Sequence, residues 1–184
     1  SIRVQNFPAM PWRVIPNFVE KHIGEADNVS RALLLFVILT AVRSGEARKA
    51  KWSEFDLKQR IWTIPASRMK ARVQHRVPLS SPVISLIEDL RNRTNQGPLV
   101  LPSPRVGGEL TDMALTSFLR KHKAVSDTPR RFATAHGFRS AFRDWASENN
   151  YPRDYAERAL AHRIKNAVES AYHRTDLLEQ RRPM

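Results

Sequence analysis

A chain of 184 residues with 41% hydrophobic content can bury one sizeable core and reads most simply as one domain. No apolar run approaches the ~20 residues of a membrane helix; the longest, 32–42, is broken by Thr40, so no membrane partner is expected. The absence of cysteine excludes zinc sites built on Cys, the start Ser1-Ile2-Arg3-Val4 lacks a secretory pattern, and a net charge of +13 points to a polyanionic partner.

That charge is local. Residues 43–76 carry ten basic and three acidic side chains and residues 120–184 carry fourteen and eight, a distribution that points to nucleic acid. Residues 1–11, with Pro8 and Pro11, read as a linker or strap. Pro16 suits the first turn of a helix carrying Phe18, Val19 and His22, and residues 24–28 form a loop. Asn28 or Ser30 caps the next helix, whose stretch 32–39 is apolar on all sides and so belongs at the centre of the core. That helix delivers Arg43 directly off the core, Gly45 is expected to turn the chain, and Glu46 either orients Arg43 or starts a short helix through Trp52. Taken alone, Arg43 reads more readily as a cation complementing the helix dipole.

Two strands are predicted next, over 59–64 and 73–79, joined by 65–72 as a basic hairpin tip with Arg68, Lys70 and Arg72 shaped to reach into a groove. His75, in the return strand, is expected to face solvent or contact a DNA backbone. Ser80 or Ser81 caps a helix with Val83, Leu86, Ile87 and Leu90 on its inner stripe. Residues 94–110 read as loop and short extended structure, and Thr111 caps a helix ending in Arg120, Lys121, His122 and Lys123, where phosphate contacts are expected.

The last third holds the chemistry. His136-Gly137-Phe138-Arg139 opens a helix to Asn149 on which His136 and Arg139, three apart, can grip one anion, and Arg139 and Arg143 share a face away from the buried side. Pro152 restarts a helix that reaches His162. Ten residues of unbroken helix would hold His162 ~15 Å from Tyr172, so a bend is predicted at 163–165, with Asn166 and Glu169 as a capping box for a separate helix carrying Tyr172. A phenol attacks only beside cations and a proton acceptor, and both are at hand. Tyr151 and Tyr155 are core or rim groups. Motifs for metal nucleases, NTPases and serine hydrolases are missing.

Arg43 in Val42-Arg43-Ser44-Gly45-Glu46, Lys70 in a basic hairpin followed by His75-Arg76-Val77-Pro78-Leu79-Ser80, His136-Gly137-Phe138-Arg139, Leu160-Ala161-His162 and Tyr172 stand in an order and spacing that resembles the tyrosine recombinase (phage integrase) family. The resemblance covers about residues 12–182 of the chain and is strongest to prophage and genomic-island integrases. It implies a mainly α fold with a small antiparallel β-sheet, an α+β catalytic domain over 12–184, and strand exchange through a covalent 3′-phosphotyrosine.

The roles implied are Tyr172 as nucleophile, Arg43 and Arg139 as clamps on the phosphate oxygens, His136 as acceptor of the tyrosine proton, His162 as donor to the phosphate and Lys70 as acid for the departing 5′-oxygen. No cofactor and no metal is then required. Arg68, Arg72, His75, Arg120, Lys121 and Lys123 are the expected DNA contacts. The implied partners are double-stranded DNA attachment sites, bound by a tetramer of the full-length protein in the bacterial cytoplasm at the nucleoid. Because family members carry amino-terminal DNA-binding domains, this piece is expected to be a monomer with weak DNA affinity of its own. A non-catalytic architectural relative and a topoisomerase-like nicking and resealing enzyme are the alternatives.

Overall fold

The computed structural model of the chain describes residues 6–93, 97–105, 107–163, 168 and 174–184. Its centre is the helix that the apolar run 32–39 demands. Asn28 caps α2 (Val29–Thr40) by accepting from the Arg31 N–H at 2.9 Å, and Ala32, Leu33, Leu34, Phe36 and Val37 are buried on it. Before it, a helical passage begins as a tight turn at Trp12–Val14, continues as α1 (Ile15–Phe18) and widens over Val19–Ile23, until Gly24 at φ 55° ends it. Around α2 pack α4 (Ser81–Arg93), α5 (Met113–Lys121) and α6 (Gly137–Glu148). The inner stripe of α4 is Val83, Leu86, Ile87 and Leu90, as its periodicity predicts. Asp112 occupies the cap position of α5 without a side-chain bond, and Thr111 contributes only its carbonyl, to the Ala114 N–H.

The sheet is three-stranded and antiparallel in the order β1 (Phe55–Asp56), β2 (Ile61–Ile64), β3 (His75–Pro78). Both predicted strands exist in shortened form, and β1 was not anticipated because two residues give no period to read. Trp62, fully buried, stacks on Phe55 (centroids 5.3 Å) and meets Phe36 of α2 at 5.0 Å, which fastens the sheet to the central helix. Burial of an aromatic of this size stabilises by about 2–3 kcal/mol. The connection 65–74 does not project freely. Met69 is buried, and the guanidinium of Arg68 grips both carboxylate oxygens of Glu54 while donating to the Glu46 carbonyl at 3.2 Å.

Two helix ends depart from expectation. The turn after α2 is made by Ala41, in the left-handed region at φ 56°, and Gly45 instead lies inside α3 (Ser44–Arg48). Likewise α7 (Arg153–Ala159) is followed by left-handed Ala161 at φ 53°, so the chain already bends before His162; of the bend predicted at 163–165, residues 164 and 165 lie outside the described residues. A non-glycine residue there costs about 1–2 kcal/mol, and the compensation lies in the site described below. The predicted capping box at Asn166 to Glu169 and Tyr172 itself lie outside the described residues.

At the two ends of the chain, backbone docks on the body. The strap 6–11 exchanges hydrogen bonds with Asp127 through Ala9, and the Pro8 carbonyl accepts from both the N–H and the hydroxyl of Thr134. The closing segment forms α8 (Leu178–Arg181) against β3 and α7. Arg182 reaches the carbonyls of Arg60 and Gln59, and the Tyr151 hydroxyl donates to the Pro183 carbonyl.

Candidate active site

Arg43 stands between the central helix and α3, and Glu46 orients it in two ways. One oxygen accepts the Arg43 backbone N–H at 2.9 Å and the other accepts its guanidinium at 3.1 Å. Glu46 is itself buried, so this pair is held rather than solvated. The arrangement bears out the expectation that Glu46 orients Arg43, and it places the cation at the carboxyl-terminal end of α2.

Arg139 reaches the same end of α2 from α6. It is only 4% exposed; Nη1 donates to the Ala41 carbonyl and Nη2 to the Leu160 carbonyl, each at 2.7 Å. Those acceptors are the carbonyls of the residues that cap α2 and α7; Ala41 is itself left-handed, and Leu160 is followed by left-handed Ala161. One guanidinium thus satisfies two helix termini and offsets the strain of both turns. The sequence expectation that Arg139 shares an open face with Arg143 is corrected. The carbonyls draw Arg139 into the body, while Arg143 is exposed. The Arg139 Nε is buried without a partner among the described residues, and two bonds leave further N–H groups on the terminal nitrogens.

Gly137 explains how the strap and α6 meet. A Cβ there would lie 2.2 Å from the Pro8 carbonyl oxygen, so glycine alone lets the strap cross the start of the helix. The crossing brings Phe7 onto the His136 ring, with centroids 4.2 Å apart.

His136 reports the charge of the surroundings. Burial lowers its pKa first, and the neighbouring charges that lower it further are Arg139, Arg43, His162 and Lys70. Those four and His136 therefore converge, with cationic charge predominating. Lys70 arrives through the strut that Arg68 forms with Glu54 and the Glu46 carbonyl, and through a 3.4 Å bond from Arg163 to the Ala71 carbonyl. Burial also lowers the pKa of Arg139, to about 10, and the nearby Arg43 adds to the shift. His162 is held at Nδ1, 2.7 Å from a Glu157 oxygen.

The expected DNA contacts divide. Arg72 is exposed, and its guanidinium donates to the Ser67 carbonyl at 3.3 Å. Arg120, Lys121 and Lys123 are exposed at the end of α5, and Lys121 and His122 share a cleft with Asn28 and Arg31. That is the amino-terminal end of α2, a helix length away from Arg43. Arg68 is corrected to a structural strut, since Glu54 neutralises it. His75 is corrected as well. Its ring is 7% exposed, held by the Ala159 carbonyl, with a pKa pushed down to about 4 by burial first and then by Arg181 and Arg139. Parity could have revealed this, because His75 shares its side of the strand with Val77 and Leu79, both buried. Glu157 was overlooked altogether, although it stands one helical turn and a bend before His162.

Comparison with known proteins places this geometry. The chain is 34% identical over 181 residues to prophage integrase IntA of Escherichia coli K12, an alignment covering 98% of this chain and 43% of that protein. It spans about half the length of the curated relatives it matches. Its fold is similar to that of the XerH site-specific recombinase bound to difH substrate, with a TM-score of 0.66 and 20% identity over 95% of this chain and 56% of that one. It is also similar to a lambda integrase tetramer bound to a Holliday junction, with a TM-score of 0.64 and 14% identity over 91% of this chain and 49% of that one. Residues 13–178, nearly the whole chain, match the phage integrase family model, and the chain belongs to that family, the tyrosine recombinases.

Proposed function

We propose that the protein is the catalytic domain, over 12–184, of a site-specific DNA recombinase that cleaves and rejoins DNA through a covalent 3′-phosphotyrosine. The observation that carries this reading is the convergence of Arg43, Lys70, His136, Arg139 and His162 at one end of the central helix, a cationic site whose carboxylates Glu46 and Glu157 are already engaged by cations. Such a site suits a phosphodiester gaining charge in its transition state. Tyr172 attacks phosphorus as its O–H bond breaks, His136 takes the proton, His162 donates to the phosphate, Arg43 and Arg139 hold the non-bridging oxygens, and Lys70 protonates the 5′-oxygen as its bond to phosphorus breaks. The phosphotyrosyl bond conserves the ester, so rejoining needs no cofactor.

The partners are double-stranded attachment sites, and the working assembly is a tetramer of the longer protein. The solved relatives bound to difH and to a Holliday junction support both. The place of action is the bacterial cytoplasm, with which the lack of a long apolar helix among the described residues agrees. Incubation with a nicked suicide substrate is expected to trap a covalent adduct that Tyr172→Phe abolishes while DNA binding persists. DNA binding without any adduct would support the architectural alternative, and an adduct mapping to Tyr151 or Tyr155 would refute the choice of nucleophile.

A further inference from the structure

The roles assigned so far leave one acidic side chain of the site unused. Glu157 lies in the last turn of α7, and the bend at Ala161 folds the chain back over it, so that the His162 N–H donates to the Glu157 carbonyl at 3.0 Å. The two side chains then meet. Nδ1 of His162 is 2.7 Å from Oε2 of Glu157, while Oε1 accepts from Nη2 of Arg143 at 2.6 Å. The same Arg143 nitrogen is 2.8 Å from Nδ1.

One nitrogen cannot serve both neighbours in the same way. If Nδ1 carries hydrogen it donates to Glu157; if it is bare it accepts from Arg143. An ion-paired carboxylate has no hydrogen to give, so a 2.7 Å contact between it and a bare Nδ1 would set two lone pairs against each other. Arg143, in contrast, strands nothing when Nδ1 carries hydrogen, because it is exposed and Nη2 still donates to Oε1. We infer that Glu157 is a positioning residue that keeps the hydrogen of neutral His162 on Nδ1 and leaves Nε2 as the nitrogen that serves the DNA chemistry.

The consequence for the reaction, which rests on the recombinase reading, is a change of role with protonation. Among the described residues, the charged and titratable groups around the ring are Glu157, Arg143, Arg139 and His136. Burial lowers the pKa of His162 most, Glu157 opposes that shift, and the arginines add to it. The resting ring is neutral, so Nε2 is an acceptor, able to take the proton of the attacking phenol in place of His136, to which the sequence assigned that role. Once that proton is on Nε2, the ring is a double donor, with Nδ1–H on Glu157 and Nε2–H available to a phosphate oxygen. The donor role expected from the sequence therefore follows proton uptake rather than preceding it. Carboxylates that fix a histidine tautomer do the same work in hydrolytic triads.

The test reads the tautomer directly, without DNA. In protein labelled with nitrogen-15 at histidine, long-range proton–nitrogen spectra near neutral pH should show His162 with hydrogen on Nδ1, assigned by the loss of its signals in His162→Gln. In Glu157→Ala, Arg143 is free to donate to Nδ1, and the hydrogen should move to Nε2. Glu157→Asp keeps a carboxylate and should stay closer to the parent pattern. A parent His162 with hydrogen on Nε2 would overturn the proposal, as would a Glu157→Ala spectrum unchanged from the parent. In the adduct assay, Glu157→Ala should slow cleavage by about tenfold. It should also move the limb of the pH profile governed by His162 to lower pH, because the charge favouring the protonated ring is gone. Rates and profiles that coincide with the parent would remove Glu157 from the reaction. A parent protein that forms no adduct would instead sink the recombinase reading, and the spectra would still decide the tautomer.

Discussion

Two buried arginines, Arg139 and Arg181, solve the same local problem in different surroundings. Each is almost inaccessible, at 4% and 2% exposure, and each donates to two backbone carbonyls: Ala41 and Leu160 for Arg139, Asp176 and Arg76 for Arg181. Burial lowers both pKa values to about 10. The difference is the company. Arg181 has a carboxylate within reach, Asp176 at 3.8 Å, which it shares with Arg76. Arg139 adjoins Arg43 and Arg143, with Glu46 as the nearby acid already bonded to Arg43, and its Nε is buried without a partner among the described residues. A buried arginine with its own counterion is a structural fastening. One left in cationic surplus is suited to an anion that arrives from outside.

Substituting methionine for each arginine breaks the comparison most directly. Arg139→Met should reduce adduct formation by about a thousandfold. Arg181→Met should leave a far larger share of activity when assayed below its unfolding transition. Equal losses in the two, measured as rates on the nicked substrate, would mean that Arg139 acts through the fold alone.

His75 feels both arginines and sharpens the contrast. Its folded pKa of about 4 lies below the usual 6.5, so the unfolded chain binds the extra proton first as pH falls. The stabilisation it contributes is complete above about 6.5, declines through the interval and is gone below about 4. The loss amounts to about 3 kcal/mol, to be read from urea unfolding at several pH values. His75→Gln should flatten that dependence, and removing either arginine should shrink it by raising the His75 pKa. An acid decline unchanged in His75→Gln would place the proton elsewhere.

Stability should rank the arginines in the reverse order of activity. Arg181→Met leaves two carbonyls without their donor and Asp176 with one cation fewer, a cost of about 2–3 kcal/mol. Arg139→Met also strands two carbonyls, yet it relieves repulsion with Arg43, so its cost should be nearer 1 kcal/mol. A larger loss for Arg139→Met in chemical denaturation would show that the two helix ends depend on it more than like-charge relief repays.

The smallest effect concerns a simple anion. Sulfate at matched ionic strength should raise the unfolding temperature of the parent and of Arg181→Met beyond that of Arg139→Met, by the equivalent of about 1 kcal/mol when sulfate is a few times its dissociation constant. General salting-out is common to all three, so only the difference counts. Identical shifts would argue that Arg139 offers no anion site in the absence of DNA.

The sequence by itself determined the features written in local pattern. The run 32–39 is apolar on every side and could only be a central helix; the stripe of α4 and the cap at Asn28 follow from spacing and side-chain chemistry. It also singled out Arg43, Lys70, His136, Arg139 and His162, which the fold brings together. Tertiary structure decided what depends on partners distant in the chain. Ala41 and Ala161 take left-handed turns that their side chains disfavour, because Arg139 bonds carbonyls 98 and 21 residues away from it. Arg68 became a strut once Glu54 faced it, His75 went inside with its strand neighbours, and Gly137 was required by a strap 129 residues earlier. The link between Glu157 and His162 depends on a bend whose position no local signal marks, since alanine carries no preference for the conformation that Ala161 adopts.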